Sequence, residues 1–137
     1  MKVVLDTNVL VSGLLLPFSG SGEIVRMVAG GEVALCYDAR VLAEYQEVQR
    51  RPRFSFPPAE VEDLLAQVVC GGTAVSARPL SIRLPDLDDE PFLEVGVAAR
   101  ARCLVTGNLR HYPSRARCGL QVRSPGEFLE WYRERRV

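Results

Sequence analysis

Short apolar runs alternate with stretches of helical periodicity along the chain, and this alternation restricts the fold more than any other feature. Lys2 to Leu5 is a β-branched apolar run without polar alternation, the pattern of a strand buried on both faces. Val33 to Tyr37, Thr73 to Ala77, Cys103 to Val105 and Leu120 to Val122 read as further strands. Between them lie helices. Val9 to Leu16 ends at Pro17, and Gly22 to about Ala29, with Ser21 as its N-cap, stops at Gly30-Gly31. Asp38 caps a helix whose Val41, Leu42, Tyr45 and Val48 share one face, and Arg51-Pro52 ends it. Pro58 opens a helix with Val61, Leu64, Leu65, Val68 and Val69 as its stripe, closed by Gly71-Gly72. Phe92 to Arg102 is another, and Ser124-Pro125-Gly126-Glu127 is a capping box ahead of Phe128, Leu129 and Trp131. Parallel neighbours need crossover helices. The order therefore predicts an α/β three-layer sandwich, with a central, mainly parallel sheet of about five strands flanked by helices. A chain of 137 residues fits one domain over 1–137.

What the composition lacks narrows the chemistry. Lys2 is the one lysine among 17 basic residues, so no lysine is placed for a phosphate loop, a Schiff base or a phosphoryl-receiver site. His111 is the single histidine, which excludes a multi-histidine metal site; alone it reads as a loop histidine satisfied by its neighbours. Cys36, Cys70, Cys103 and Cys118 form no C-x-x-C pair, and contexts such as Val-Ala-Leu-Cys36 and Val-Val-Cys70 read as small buried hydrophobes in a reducing compartment. The motifs G-x-S-x-G and G-x-G-x-x-G are absent. The 17 acidic residues balance the 17 basic ones, and no apolar run approaches the ~20 residues of a membrane helix. A cytoplasmic protein with no membrane association is expected. Carboxylates remain for chemistry.

In open α/β sheets, ligands bind beyond the carboxyl ends of the strands. Asp6 follows the first strand and Asn108 the fourth; Glu44 sits beside the apolar stripe of its helix; Asp86, Asp88 and Asp89 precede the helix leading into the fourth strand. Each has an ordinary alternative: Asp6 as a helix cap, Glu44 as a solvated helix residue, Asp86 to Glu90 as an exposed acidic loop, Asn108 as a turn residue. Together, without an available nucleophile, they match a site for a hard cation such as Mg²⁺ or Mn²⁺, which takes oxygen ligands. Crowded carboxylates repel one another, so without a cation such a site is expected to be partly protonated or disordered.

These residues occur in four blocks. Val3-Val4-Leu5-Asp6-Thr7-Asn8-Val9-Leu10 resembles the opening of PIN domains. Leu42-Ala43-Glu44-Tyr45 with Arg51-Pro52-Arg53-Phe54 resembles their second acidic block, and Asp86 to Glu94 the third. Leu104-Val105-Thr106-Gly107-Asn108 resembles the fourth, where the family usually carries Thr-x-Asp. The blocks come in the family's order and span nearly the whole chain, with the nearest likeness to VapC-like ribonuclease toxins of toxin–antitoxin pairs. The resemblance implies a PIN-like, Rossmann-like fold and a Mg²⁺- or Mn²⁺-dependent endoribonuclease. Its metal-binding acids carry over onto Asp6, Glu44 and Asp89, with Asp86 in reserve and Asn108 in the place of a fourth catalytic acid. Asn8 and Thr106 would support them. Asn108 departs from the pattern: an amide oxygen can ligate Mg²⁺ but adds no charge. The loop after Asn108 places Arg110 and Arg115 where phosphate contacts make sense. An antitoxin protein and a homodimer are the partners that the resemblance implies, with Leu14 to Phe18 and Phe54 to Pro57 as surfaces for the former. A housekeeping RNA-processing nuclease would share these residues, and Asn108 favours a catalytically weak or inactive RNA- or protein-binding module. An aspartate-based phosphatase would need a second aspartate at position 8, where Asn stands.

Overall fold

The computed structural model describes residues 1–135. Five strands, β1 (Lys2–Leu5), β2 (Ala34–Tyr37), β3 (Thr73–Ala74), β4 (Leu104–Val105) and β5 (Val122–Arg123), form one sheet in the order β3-β2-β1-β4-β5. Every neighbouring pair is parallel, with Lys2 opposite Ala34 and Leu5 opposite Val105. Six helices flank it: α1 (Thr7–Leu15), α2 (Gly20–Ala29), α3 (Ala39–Gln49), α4 (Pro58–Gly71), α5 (Glu90–Ala99) and α6 (Pro125–Arg135). The expected α/β sandwich stands, and the sheet is wholly parallel. No single helix among the described residues is long and apolar enough to cross a membrane.

Local chemistry accounts for the differences at element ends. Ser19, not Ser21, caps α2: its hydroxyl accepts from the Gly22 N–H at 3.1 Å, and the helix starts two residues early. α1 starts at Thr7. α5 begins at Glu90 and stops at Ala99 because Arg100 takes the left-handed conformation (φ 53°), a helix ending no glycine announces. β3 keeps two residues, after which one further bond, from the Val75 N–H to the Tyr37 carbonyl, ends the pairing. β2 and β4 start one residue later than expected, and β5 is displaced to Val122–Arg123. The capping box at α6 forms in both directions, with the Glu127 N–H on Ser124 Oγ at 3.1 Å and the Ser124 N–H on Glu127 Oε1 at 2.8 Å. Cys36 and Cys103 are buried as expected, whereas Cys70, in the last turn of α4, and Cys118 are exposed; all four are free.

The core is one continuous cluster. It includes Val3, Val4 and Leu5 of β1, Leu104 and Val105 of β4, and Phe92, Leu93 and Val95 of α5. α5 is buried over most of its surface because it packs on β1, β2 and β4. Its two buried acids are tied down. Glu90 accepts from Arg83 Nη1 and the Leu84 N–H, both at 3.0 Å, and Glu94 accepts from Arg40 Nη1 at 2.8 Å and the Leu80 N–H at 3.3 Å. These bonds fasten the long 75–86 connection against the helix, so Asp89 enters the fold from a fixed direction.

Candidate metal centre

Strand order reverses between β1 and β4, so the crevice beyond their carboxyl ends is the switch point where open α/β sheets bind ligands. Asp6 stands there, 5% exposed. It occupies the N-cap position of α1, yet its side chain makes no capping bond. One carboxylate oxygen, Oδ2, instead accepts from Thr106 Oγ1 and from the Tyr112 hydroxyl, each at 3.0 Å. Burial pushes the Asp6 carboxyl above its ordinary range, against the lowering effect of those two hydroxyls.

The other acids flank the same crevice, although the ligand atoms of Asp6, Glu44 and Asp89 do not all lie within 4.8 Å of one another. Glu44, half-buried on α3, accepts from Thr7 Oγ1, and the Tyr45 hydroxyl beside it donates to the Leu5 carbonyl, which holds α3 over the end of β1. Burial raises Glu44 against the Thr7 hydrogen bond, and the Asp6, Asp88 and Glu47 charges raise it further. Asp89, the last residue of a 3-10 turn over Leu87–Asp89, is 9% exposed. Its carboxyl is pushed up to about 6, first by burial and then by the Asp6 charge. Asp6 therefore acts electrostatically on both Glu44 and Asp89.

His111 belongs to this cluster. Its Nδ1 lies 2.7 Å from Asp89 Oδ2, and its Nε2 lies 2.8 Å from the Asn108 amide nitrogen. An amide NH₂ only donates, so Nε2 accepts and Nδ1 carries the proton given to Asp89; the hydrogen-bond network assigns this tautomer. The Asn108 side chain thus faces the histidine, while its backbone N–H donates to Thr106 Oγ1 at 3.0 Å. That bond fixes the hydroxyl that serves Asp6. Asn8, exposed, accepts the Gly107 N–H at 2.9 Å and so ties the start of α1 to the loop after β4. Asp86 caps the 3-10 turn through the Asp88 N–H at 2.9 Å. Among the described residues, Asp86, Asp89 and His111 are the one group of three whose ligand atoms lie within 4.8 Å of one another, and neither Asp6 nor Glu44 joins it. Arg110 and Arg115 are both exposed on the loop leaving β4.

Sequence reasoning did not bring Thr7, His111 and Tyr112 to the cluster. Thr7 sits inside the first block, between two residues it did single out. Tyr112 meets Asp6 across 106 positions, and no local pattern marks such a pair.

The fold and the crevice together define an α/β protein with clustered acids at the switch point of a parallel sheet, the donor set of a hard-cation site. The family profile described as PIN domain matches residues 2–110, and the chain belongs to that family, whose fold is of nuclease type. The matched span holds Asp6, Glu44, Asp89 and Asn108; His111 and Tyr112 follow directly after it. No curated protein matches the chain.

Proposed function

We propose that this PIN domain is a metal-dependent endoribonuclease of the cytoplasm, the toxin of a type II toxin–antitoxin pair, working as one domain over the whole chain. The observation that carries the reading is the crevice that Asp6, Glu44 and Asp89 share, with acids that sense one another's charge without meeting at one point. All three carboxyls are raised, and the Asp6 charge adds to the shift of each of the others. A folded chain keeps such acids together at a cost that a divalent cation removes.

Asp6, Glu44 and Asp89 would hold Mg²⁺ or Mn²⁺, with Asp86 in reserve. When bound, such a cation supplies charge to the phosphoryl oxygens and acidifies water for hydrolysis of the phosphodiester. The chain's own part is positioning. Thr106 and Tyr112 hold the Asp6 carboxylate through Oδ2, Thr7 holds Glu44, and His111, oriented by Asn108, holds Asp89. Arg110 and Arg115 contact phosphates of the strand. An antitoxin is the proposed partner. Leu15, Leu16 and Phe18 are exposed at 49%, 63% and 99%, next to a cavity lined by Leu14, Val25 and Leu64 with Glu60 and Asp63 beside them. Apolar surface with an acidic rim suits an amphipathic helix carrying basic residues.

The test is incubation of the protein with a mixed RNA pool in Mn²⁺ or in chelator, followed by mapping of the cut ends. Cleavage is expected in Mn²⁺ alone, and Asp6→Asn or Asp89→Asn should lower its rate at least ~100-fold in a folded protein. Cutting that persists undiminished in both variants removes these acids from the site. Asn108, turned toward His111 in place of a fourth acid, favours a second reading, a PIN fold that binds RNA without cutting it. RNA binding with intact RNA in Mn²⁺ selects that reading.

A further inference from the structure

Away from the acidic crevice, the end of α5, the residues leading into β4 and the loop ahead of β5 border a cleft of about 240 Å³. Arg100, Arg102, Cys118, Gly119 and Gln121 line it with Gly96, and no carboxylate is among its walls. Arg102 precedes β4 and Gly119 to Gln121 precede β5, so the cleft lies at the amino ends of two parallel strands, opposite the crevice. Arg100 and Arg102 are both exposed, and neither forms an ion pair among the described residues. The backbone adds donors. It is right-handed at Arg117 and left-handed at Cys118 (φ 53°) and Gly119 (φ 82°). Such a turn gathers successive N–H groups into an anion-binding concavity. The N–H groups of Cys118 and Gly119 meet no backbone acceptor among the described residues.

The positive charge continues next to the cleft. Trp131, the one tryptophan of the chain, has the guanidinium carbons of Arg123, Arg135 and Arg102 at 4.6, 5.0 and 5.5 Å from its ring centroid. Each contact is attractive, but three cations around one ring also repel one another. None of the three has an ion-pair partner among the described residues. Arg123 Nη1 is enclosed without a hydrogen-bond partner, so this side chain contributes charge from beneath the ring and not a ligand contact. On α6, Glu127 and Glu134 lie four residues before and three after Trp131, and Glu127 is tied to Ser124. Arg100, Arg102, Arg117, Arg123 and Arg135 outnumber them.

We propose that this face holds a single nucleic-acid strand by its backbone, with a phosphate seated in the cleft between Arg100, Arg102 and the Cys118–Gly119 turn, and the adjoining nucleotide beside Trp131. The inference goes beyond the ribonuclease reading, because the contact lies at the far end of the sheet from the acids and involves no cutting. Arginine forks match phosphate oxygens in two-point contacts, and backbone N–H groups complete such sites. Surfaces that hold single strands combine a basic track with an aromatic ring, as Trp131 and its arginines do here. A phosphate would also offset the repulsion among Arg102, Arg123 and Arg135. The formal net charge of the chain is zero, so the gathering of arginines at this end is a local property and not that of a basic protein. Phosphate contacts position a strand without reading its sequence, so the face is expected to accept RNA and DNA alike.

The experiment is binding of oligouridylate RNA and oligothymidylate DNA, each of about 20 nucleotides, at about 50 and 200 mM salt and in chelator so that no strand is cut. Anisotropy of the labelled strand gives the affinity, and the emission of Trp131 reports the place. The wild type is compared with a double variant, Arg100→Glu with Arg102→Glu. The variant should bind both strands at least ~10-fold more weakly at the lower salt, and its slope of log affinity against log salt should shrink by about 1.4, two contacts at ~0.7 each. Trp131 emission should be quenched as the wild type saturates. Arg100→Gln with Arg102→Gln serves if charge reversal impairs folding, with the same shrinkage of slope. Absence of binding by the wild type, unaltered affinity and slope in the variants, a loss confined to RNA, or constant Trp131 emission at saturation overturns the proposal. So does a poly-glutamate peptide of equal charge that binds more tightly than the strands, which would give the face to an acidic protein. Cleavage plays no part in these readings. Strand binding that depends on Arg100 and Arg102 in a protein that cuts no RNA would retire the nuclease reading and leave this face standing, and cleavage with unaltered binding in the variants does the reverse.

Discussion

Tyr112 and Thr106 donate to the same Asp6 oxygen, so a buried negative charge at position 6 depends on two hydroxyls reached from 100 or more residues away. Hydrogen bonds to charged groups contribute about 1.5–3 kcal/mol. Tyr112→Phe should therefore lower unfolding free energy in urea by about 1–3 kcal/mol at neutral pH; no loss would mean that the hydroxyl is dispensable to Asp6. Asp89 gives a pH signature. Its carboxyl rises from an ordinary 3.8 to about 6 in the folded protein, which then binds more protons than the unfolded chain between those values. The resulting stability is fully present below the lower value and is lost as pH rises through the higher one. In chelator, the melting temperature should fall between about pH 4 and pH 7 and then level off, with a shallower fall for Asp89→Asn. A melting temperature that climbs across that window contradicts the burial of these acids. At this scale Asp6 stood out in the sequence, because a charge directly after a fully apolar run needs a reason, whereas Glu44 alone read as a solvated helix residue and became a candidate through the resemblance. The sequence did not disclose Tyr112, which meets Asp6 only once β1 and β4 are paired, or the contact of His111 with Asp89 across 22 positions.

The elements reproduce the alternation in the chain, and their ends diverge where a single residue decides. Ser19 outcompetes Ser21 because its hydroxyl reaches the Gly22 N–H, a choice of register that composition does not settle. Arg100 ends α5 in a conformation that glycine usually signals. Gly72, at the end of α4, was readable as a stop, but its second role was not. A Cβ there would stand 2.3 Å from the Val68 carbonyl oxygen and 2.4 Å from that of Leu35, so the helix end and β2 approach through the space that a side chain would fill. Gly72→Ala must shift backbone, and should destabilise the protein by about 1–3 kcal/mol in thermal or urea unfolding. An unchanged midpoint would show that this contact yields freely.

For the whole molecule, the alternation of strands and helices announced a parallel sheet with polar residues beyond its strand ends, but not the strand order, and it is the pairing of β1 with β4 that sets Asp6 and Thr106 side by side. The central claim concerns three carboxylates, one directly after β1, one midway along α3 and one in the turn before α5, acting on one ion. It is tested most directly by growing crystals with Mn²⁺ and recording anomalous scattering at the manganese edge. One strong peak in contact with the carboxylates of Asp6, Glu44 and Asp89 is the result expected. A peak held by Asp86, Asp89 and His111 without Asp6 or Glu44, or no peak in the crevice at saturating Mn²⁺, would contradict it.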